Sequence, residues 1–414
     1  MNGRDLPPAP GTPPRGLPGL VWERTWPRPV HGPVDAWVQA VSVGEVEVAA
    51  TFVAALVGQR PSTRLLVTST TPAGVELLHR RFGPEAEALA LRPFPLDLPF
   101  SVARLLDSAR PRLLVLVETE IWPVLLSLAR RGGTPVLVVN ARLSERSVGR
   151  ILSLGPLFRG ALSALTHVAA RTAGDAERFA RAGVPPGRIR VSGDLKLDRP
   201  RAEAPAFAGT FERLAGGRPV FVAGSVADDE VEEVLSARDR LAQAGTDVLL
   251  LLAPRRPDSF DSVAARLAAR GLATVRRSRI DAPGTVRPDV FLLDSLGELA
   301  GSYGLGDVAF VGGTLVPKGG HNVLEPLRAG LPVVVGPSIG NVRASVEAAG
   351  EAVRVVPDAA RLADEVARLL GDGAARGLAR LAAEALFAGH GGAAARAAAA
   401  AAALIEGRPV PEAG

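Results

Sequence analysis

The chain has 414 residues, 47% of them hydrophobic and 22% charged, a composition that excludes a disordered chain and allows two or three domains. Its formal net charge of +5 suits nucleic acid, an anionic membrane surface or a phosphorylated substrate, without selecting among them. The absence of cysteine excludes disulfide bonds, thiol nucleophiles and cysteine-based metal sites.

The N-terminal segment, 1–30, is rich in Pro, Gly and Arg, and we expect it to be flexible. It lacks the apolar core of a signal peptide. No run of about 18 apolar residues occurs in the sequence. We therefore expect no transmembrane helix, and only peripheral contact with any membrane.

Apolar runs alternate with amphipathic segments over 31–197 and predict a first Rossmann-like domain, because short apolar runs are typical of buried parallel strands. The predicted strands are Ala36–Val41, Leu65–Thr68, Leu113–Val117 and Val136–Val139. The predicted helices are Glu45–Val57, Phe100–Ser108 and Ile121–Ala129.

The same alternation restarts after a Pro-, Ala- and Gly-rich linker at 198–217 and predicts a second Rossmann-like domain over 218–378. Its predicted strands are Val220–Val222, Val248–Leu252, Val290–Leu293, Val308–Val311 and Val333–Val335. Its predicted helices are Asp229–Ala244, Ser259–Ala269 and Arg361–Leu370. The fold class predicted is therefore α/β, with two doubly wound parallel sheets facing across a cleft.

Polar residues follow the strands of the first domain, where parallel sheets bind their ligands. Glu45 is either an acid that meets a helix dipole or a carboxylate that takes a proton from a hydroxyl group. Glu118 and Glu120 follow a very hydrophobic strand, and helix-terminal and functional roles are equally open for them. Arg142 is a candidate for binding an anionic ligand. Lys196, at the domain boundary, is either a surface residue or a contact to an anionic substrate.

The strongest local signal is the glycine-rich loop Gly312–Pro326 of the second domain. Two glycine pairs allow the backbone to bend closely around a ligand and expose amide N–H groups. Asn322 is predicted to start a helix whose N-terminus holds a phosphate, and Glu325 is placed to accept ribose hydroxyls. The loop is not a Walker motif. Loops after neighbouring strands, at Pro254-Arg255 and Leu296–Glu298, converge on the same edge and predict a nucleotide pocket.

Taken together and in this order, these segments resemble the Kdo (3-deoxy-manno-octulosonate) transferases, which are glycosyltransferases of the GT-B fold. The resemblance spans about Trp37 to Val355. The segments that carry it are Ala40–Glu45, Val117–Pro123, Asn140–Ser147, Gly193–Asp198, Ala253–Arg255, Gly297–Leu299 and Gly312–Pro326.

This resemblance implies roles for individual residues. Glu45 corresponds to the general base, and Glu120 and Lys196 to residues that support the transition state. The residues that correspond to the CMP site are Pro254, Arg255, Leu296, Gly297, Glu298, Asn322, Val323, Leu324 and Glu325. It also implies that the C-terminal helices within 379–414 pack back on the first domain.

The activity that the resemblance implies is transfer of Kdo from CMP-Kdo to a lipid A precursor, lipid IVA, in lipopolysaccharide core biosynthesis. It implies inversion at the anomeric carbon, with no metal and no cofactor. It places the enzyme at the cytoplasmic face of the inner membrane of a Gram-negative cell, bound peripherally to anionic lipid.

Two alternatives remain open from the sequence. A GT-B glycosyltransferase or epimerase that uses another sugar nucleotide would share the nucleotide loop. A basic, non-catalytic protein that binds nucleic acid would suit the net charge. Arg is spread along the chain without a basic stripe and interleaved aromatic residues, so we expect no nucleic-acid partner.

Overall fold

A computed structural model describes residues 17–83, 88–153, 155–280 and 287–411. Two compact units make up the structure, and the first comprises the described residues up to Arg199 and those from His390 onward. The second runs from Pro200 to Gly389. Of the segment 1–30, residues 1–16 lie outside the described residues, whereas Leu17–Thr25 form a helix rather than the flexible chain we predicted.

The first unit is built on a parallel sheet of seven strands. These strands are β1 Ala36–Ala40, β2 Leu65–Ser69, β3 Leu89–Pro93, β4 Leu113–Val117, β5 Val136–Ala141, β6 His167–Ala170 and β7 Ile189–Val191. Their order in the sheet is β3-β2-β1-β4-β5-β6-β7. The direction of winding reverses between β1 and β4, and such a switch point is where open α/β sheets bind ligands.

Among the described residues, one helix precedes β1 and the others connect the strands. They are α1 Leu17–Thr25, α2 Val43–Gln59, α3 Pro72–Phe82, α4 Pro99–Ala109, α5 Pro123–Arg131, α6 Glu145–Ser153, α7 Pro156–Leu162 and α8 Ala173–Arg181. Ser42, Thr71 and Thr172 cap α2, α3 and α8 by accepting a backbone hydrogen bond. Successive residues of β1 enter opposite cores, Trp37 on one face and Val38 on the other.

The second unit repeats this architecture. Its strands are β8 Val220–Val226, β9 Leu249–Pro254, β10 Thr274–Arg276, β11 Val290–Leu292, β12 Val308–Val311, β13 Val333–Val335 and β14 Val353–Val355. They form a parallel sheet in the order β10-β11-β9-β8-β12-β13-β14. Its helices are α9 Ala208–Ala215, α10 Val231–Gln243, α11 Phe260–Ala269, α12 Leu299–Ser302, α13 Leu324–Arg328, α14 Arg343–Ala349, α15 Ala359–Gly371 and α16 Gly373–His390. Here the switch point lies between β8 and β12.

A C-terminal helix, α17 Ala393–Ile405, belongs to the first unit. It packs against α2, and its buried alanines join the core on that face of the sheet. Gln59 of α2 donates a side-chain hydrogen bond of 3.1 Å to the carbonyl of Ala395.

The predicted α/β class with two parallel-sheet units is confirmed. Each predicted strand is present, with its ends shifted by at most a few residues. The prediction missed β3, β6, β7, β10 and β14. The helix predicted from Ile121 begins at Pro123, whose ring fixes φ at a value suited to a first helical position. Among the described residues, no helix combines the length and the apolar character needed to cross a membrane.

Candidate active site

Glu45 lies in the first turn of α2, directly after β1. Its carboxylate accepts hydrogen bonds from the backbone N–H of Val41 at 2.6 Å and from the Ser42 hydroxyl at 3.2 Å. The Ser42 hydroxyl in turn accepts the Glu45 N–H, and this reciprocal pair is a capping box. Burial and the nearby Glu118 carboxylate raise the pKa of Glu45, against opposing hydrogen bonds from Val41 and Ser42. Glu45 therefore has a structural role at the start of α2. Its carboxyl group is also partly buried and has a raised pKa, as expected of a general base.

Glu118 and Asn140 hold the lysine of this site. Lys196 Nζ lies 2.9 Å from Glu118 Oε1, and Asn140 Nδ2 donates to the same oxygen at 3.4 Å. Asn140 Oδ1 accepts the backbone N–H of Leu195 at 3.0 Å, which fixes the short 3₁₀ helix Leu195–Asp198. Glu118 and Asn140 have positive φ angles of 64° and 52°, conformations that side chains rarely adopt and that cluster at functional sites. The geometry brings Lys196 to the ends of β4 and β5, next to the predicted acids.

Glu120 is the most strongly perturbed acid of the cluster. Burial, and then the carboxylates of Glu45 and Glu118, raise the pKa of Glu120 to about 8, while the Trp122 side chain partly offsets the rise. Glu45, Glu118 and Glu120 thus lie near one another at this edge of the first sheet, and Glu118 pairs with Lys196. At neutral pH Glu120 is mostly protonated and can donate a hydrogen bond.

Replacing Glu120 with Gln should change the pH dependence of stability. Because its folded pKa of about 8 exceeds the ordinary value, the folded state keeps a proton that the unfolded chain releases, and wild-type stability falls as pH rises from about 4.5 to 8. Gln keeps the shape of the protonated acid and removes this loss. The melting temperature of Glu120→Gln relative to wild type should therefore increase from pH 6 to pH 9, by several degrees for roughly 1–2 kcal/mol.

Scanning calorimetry at several pH values measures this difference. The exposed Glu177 on α8 provides a matched control, because Glu177→Gln removes an acid that solvent already stabilises. Parallel pH profiles for Glu120→Gln and wild type would contradict the raised pKa.

The segment that carries Lys196 is fastened by the C-terminal helix. The Asp198 carboxylate accepts backbone hydrogen bonds from Gly392, at 2.8 Å, and from Ala394 at the start of α17. Arg396 Nη2 donates to the Ser192 carbonyl at 2.9 Å. Both ends of the Ser192–Asp198 segment are thereby tied to α17, and this limits the movement of Lys196.

Two further residues of the first unit, Ser144 and Arg142, have different roles. The Ser144 hydroxyl accepts the N–H of Ser147 at 3.1 Å and so caps α6. The Arg142 side chain is exposed, while its backbone carbonyl accepts a hydrogen bond from the Thr119 hydroxyl. Arg142 remains a candidate for an anionic ligand, with its backbone fixed beside the carboxylate cluster.

In the second unit the first half of the glycine-rich loop is occupied from within the protein. The backbone N–H groups of Gly313, Thr314 and Leu315 donate to the carboxylate of Glu230, at 2.6, 3.0 and 2.8 Å. The prediction that this glycine pair exposes amides to a ligand is wrong, because Glu230 already takes them. The sequence shows Glu230 only as one of several acids before α10, a pattern typical of any helix start.

The second half of the loop contains Asn322, Val323, Leu324 and Glu325. Helix α13 begins at Leu324 after the cap residue Val323, so the prediction that Asn322 starts a helix is wrong by two residues. Asn322 instead accepts the Leu324 N–H at 3.0 Å and donates to Glu325 Oε1 at 3.0 Å. The Asn322 side chain therefore sets the position of the Glu325 carboxylate in the first turn of a short helix.

Arg255 lies at the end of β9, next to this loop. Pro254 is buried as the last residue of the strand, and the exposed Arg255 is fixed through its N–H, which donates to the Val226 carbonyl at 2.8 Å. Burial, together with the charges of Arg255 and Lys318, lowers the pKa of His321, so this ring is neutral at physiological pH. The structure thus brings Arg255 close to the second half of the loop, as the nucleotide-pocket prediction requires.

The Leu296–Glu298 loop follows β11. Leu296 is exposed, and Gly297 has a φ of 85°, which glycine adopts without strain. The Glu298 carboxylate forms a bidentate ion pair with Arg277, whose guanidinium lies 4.9 Å from the ring centre of Phe207. Glu298 therefore uses its side chain to hold the loop, and leaves the backbone of Leu296 and Gly297 for contact with a ligand.

The described residues contain no group of three or more His, Asp or Glu side chains arranged to hold a metal ion. Two seven-stranded parallel sheets, each with candidate residues at its switch point, define the GT-B class of glycosyltransferases and sugar-nucleotide epimerases. The putative UDP-N-acetylglucosamine 2-epimerase from Listeria monocytogenes shares this fold, with a TM-score of 0.61 and 16% identity over 92% of this chain and 99% of that chain.

Sequence relatives define the family. A family model for 3-deoxy-D-manno-octulosonic-acid transferase (kdotransferase) matches residues 20–199. The 3-deoxy-D-manno-octulosonic acid transferase of Bordetella pertussis is 38% identical over 89% of this chain and 86% of its own length. That of Haemophilus influenzae is 35% identical over 73% and 71%. This chain belongs to the 3-deoxy-D-manno-octulosonic acid transferase family and is a glycosyltransferase.

Proposed function

We propose that this enzyme transfers Kdo from CMP-Kdo to a lipid A precursor, lipid IVA, in lipopolysaccharide biosynthesis. The observation that carries the proposal is the cluster of Glu45, Glu118 and Glu120 at the switch point of the first sheet, with Lys196 paired to Glu118. The choice of Kdo as the sugar follows from membership of the family. Sugar transfer needs a base that removes the proton of the acceptor hydroxyl and polar groups that stabilise charge in the transition state. The cluster contains side chains suited to both roles.

Glu45 acts as the general base in a single displacement. Its carboxylate takes the proton of an acceptor hydroxyl as that oxygen forms a bond to the anomeric carbon of Kdo. The bond from this carbon to the phosphate oxygen breaks, and its electron pair leaves with CMP. Attack from the opposite side inverts the configuration at the anomeric carbon. Lys196 and the protonated Glu120 stabilise charge in the transition state.

The second unit binds the CMP group. Arg255 supplies a cation for the phosphate, so the reaction needs no metal ion and no cofactor. The Glu325 carboxylate, set by Asn322, accepts the ribose hydroxyls. The remaining contacts come from Pro254, Leu296, Gly297, Glu298, Val323 and Leu324.

The acceptor is a lipid, and we place the enzyme peripherally on the anionic cytoplasmic face of the inner membrane of a Gram-negative cell. The net charge of +5 supports attraction to such a surface. We propose no nucleic-acid partner.

A transfer assay tests the proposal. The purified protein is incubated with CMP-Kdo, generated in place, and lipid IVA, in the presence of EDTA, and the lipid product is weighed by mass spectrometry. We expect a gain of one or more Kdo units, and calorimetric binding of CMP but not UDP. Binding of UDP alone would favour a different sugar nucleotide, and activity lost with EDTA and restored by a divalent cation would contradict metal independence.

A further inference from the structure

Glu230 is a fully buried carboxylate, 0% exposed, at the start of α10. Besides the three loop amides described above, it accepts the backbone N–H of Ala227 at 3.3 Å. The ion pairs found within the described residues do not include Glu230. Its carboxylate is therefore held by converging backbone N–H groups, the arrangement with which many proteins bind phosphate.

The turn that Glu230 holds is tightly packed. A Cβ atom on Gly312 would lie 2.4 Å from the Ser225 carbonyl oxygen and 2.8 Å from Glu230 Oε2. The Thr314 hydroxyl donates to the Val311 carbonyl at 2.7 Å and accepts the Gly336 N–H at 2.8 Å, so the same turn joins β12 to the chain after β13. The Gly312–Leu315 turn therefore has little freedom while the carboxylate is in place.

The held turn is connected to the proposed nucleotide residues. The Gly320 N–H donates to the Gly313 carbonyl at 2.9 Å. A Cβ atom on Gly313 would lie 2.9 Å from His321 Nε2, the residue before Asn322. A displacement of the first half of the loop would pass through these contacts to Asn322 and Glu325.

We propose that Glu230 is a positioning residue for the donor nucleotide. Its carboxylate occupies the anion-binding turn at Gly313–Leu315 and sets the shape of the Asn322–Glu325 segment, so the donor phosphate binds elsewhere in the pocket. This inference rests on the proposed function of the loop as the CMP site. In this proposal the buried Glu230 carboxylate preorganises the site that binds the donor.

The variant Glu230→Gln tests the proposal. Gln has nearly the same shape, but its amide nitrogen faces N–H donors that need an acceptor, and the turn must shift. We expect the Kd for CMP, measured by titration calorimetry, and the KM for CMP-Kdo to rise at least 10-fold. The kcat at saturating donor and the KM for the lipid should change less than about 3-fold. Glu233→Gln, an exposed acid on the same helix, should leave all four values unchanged.

Gly313→Ala provides a second route if Glu230→Gln fails to fold. It disturbs the same turn through a φ of 73° and the contact to His321, without leaving buried amides unpaired. A folded variant of either kind that binds CMP as wild type does would overturn the proposal, as would a loss confined to kcat. A wild-type protein that does not bind CMP would instead overturn the proposed function, and this inference with it.

Discussion

Glu45→Gln is expected to lower kcat for sugar transfer about 10²–10⁴-fold, the usual contribution of a general base. Gln cannot take the proton of the acceptor hydroxyl, although it keeps the shape and an oxygen that accepts the hydrogen bond from Val41. The fold should survive, because half of the capping box remains. Initial rates with CMP-Kdo and lipid IVA, together with the circular dichroism spectrum, measure both effects.

Ser42→Ala separates catalysis from capping. It removes the cap of α2 and should cost about 1 kcal/mol of stability, yet it leaves the Glu45 carboxylate in place. We expect this variant to keep kcat within about 10-fold of wild type. If Ser42→Ala is as inactive as Glu45→Gln, the loss comes from the start of α2 and Glu45 is not the base.

Lys196→Met is expected to lower kcat about 10²–10³-fold, as removal of a preorganised charge-stabilising group commonly does. The loss has a second physical cause, because Glu45, Glu118 and Glu120 would then share one site without the lysine. Repulsion among them favours protonation. The acidic limb of the pH–rate profile should therefore move to higher pH, and rates measured from pH 5 to pH 9 test this shift.

A double variant distinguishes catalysis from support of the fold. Glu118→Gln combined with Lys196→Met removes both partners of the 2.9 Å ion pair and should recover stability lost in Lys196→Met alone. The kcat should stay low. Recovery of activity in the double variant would show that Lys196 serves only to neutralise Glu118.

The sequence could place Glu45 and Glu120 at one edge of a sheet, because each follows a recognisable strand and parallel strands end at a common edge. It placed Lys196 only at the domain boundary, since the strand before it, β7, was not predicted. It could not show that Lys196 pairs with Glu118. That pairing depends on the positive φ angles of Glu118 and Asn140, which neither residue type requires. The role of Glu230 was missed for a related reason, since its three amide partners in the glycine-rich loop lie 83 or more residues further along the chain.

Most of the missed strands share a physical origin. The outermost strands β3, β7, β10 and β14 lie at sheet edges, where residues are partly exposed and the apolar run is weak. Short strands such as β14 offer only three residues of pattern. Most central strands are buried on both faces and have the continuous apolar runs that sequence reveals. The exception is β6, which is buried but has only four residues, a histidine and two alanines among them.

Helix α17 also has a consequence for how the protein is made. A ribosome produces β1 to β7 first, then all of the second unit, and only afterwards the segment Ala393–Ile405 that completes the core around α2. Until then the α2 face of the first sheet remains open, and the Lys196 segment lacks its partners Gly392 and Arg396. The second unit is continuous in sequence and can fold while the first unit still lacks α17. The second unit can therefore be complete before the first.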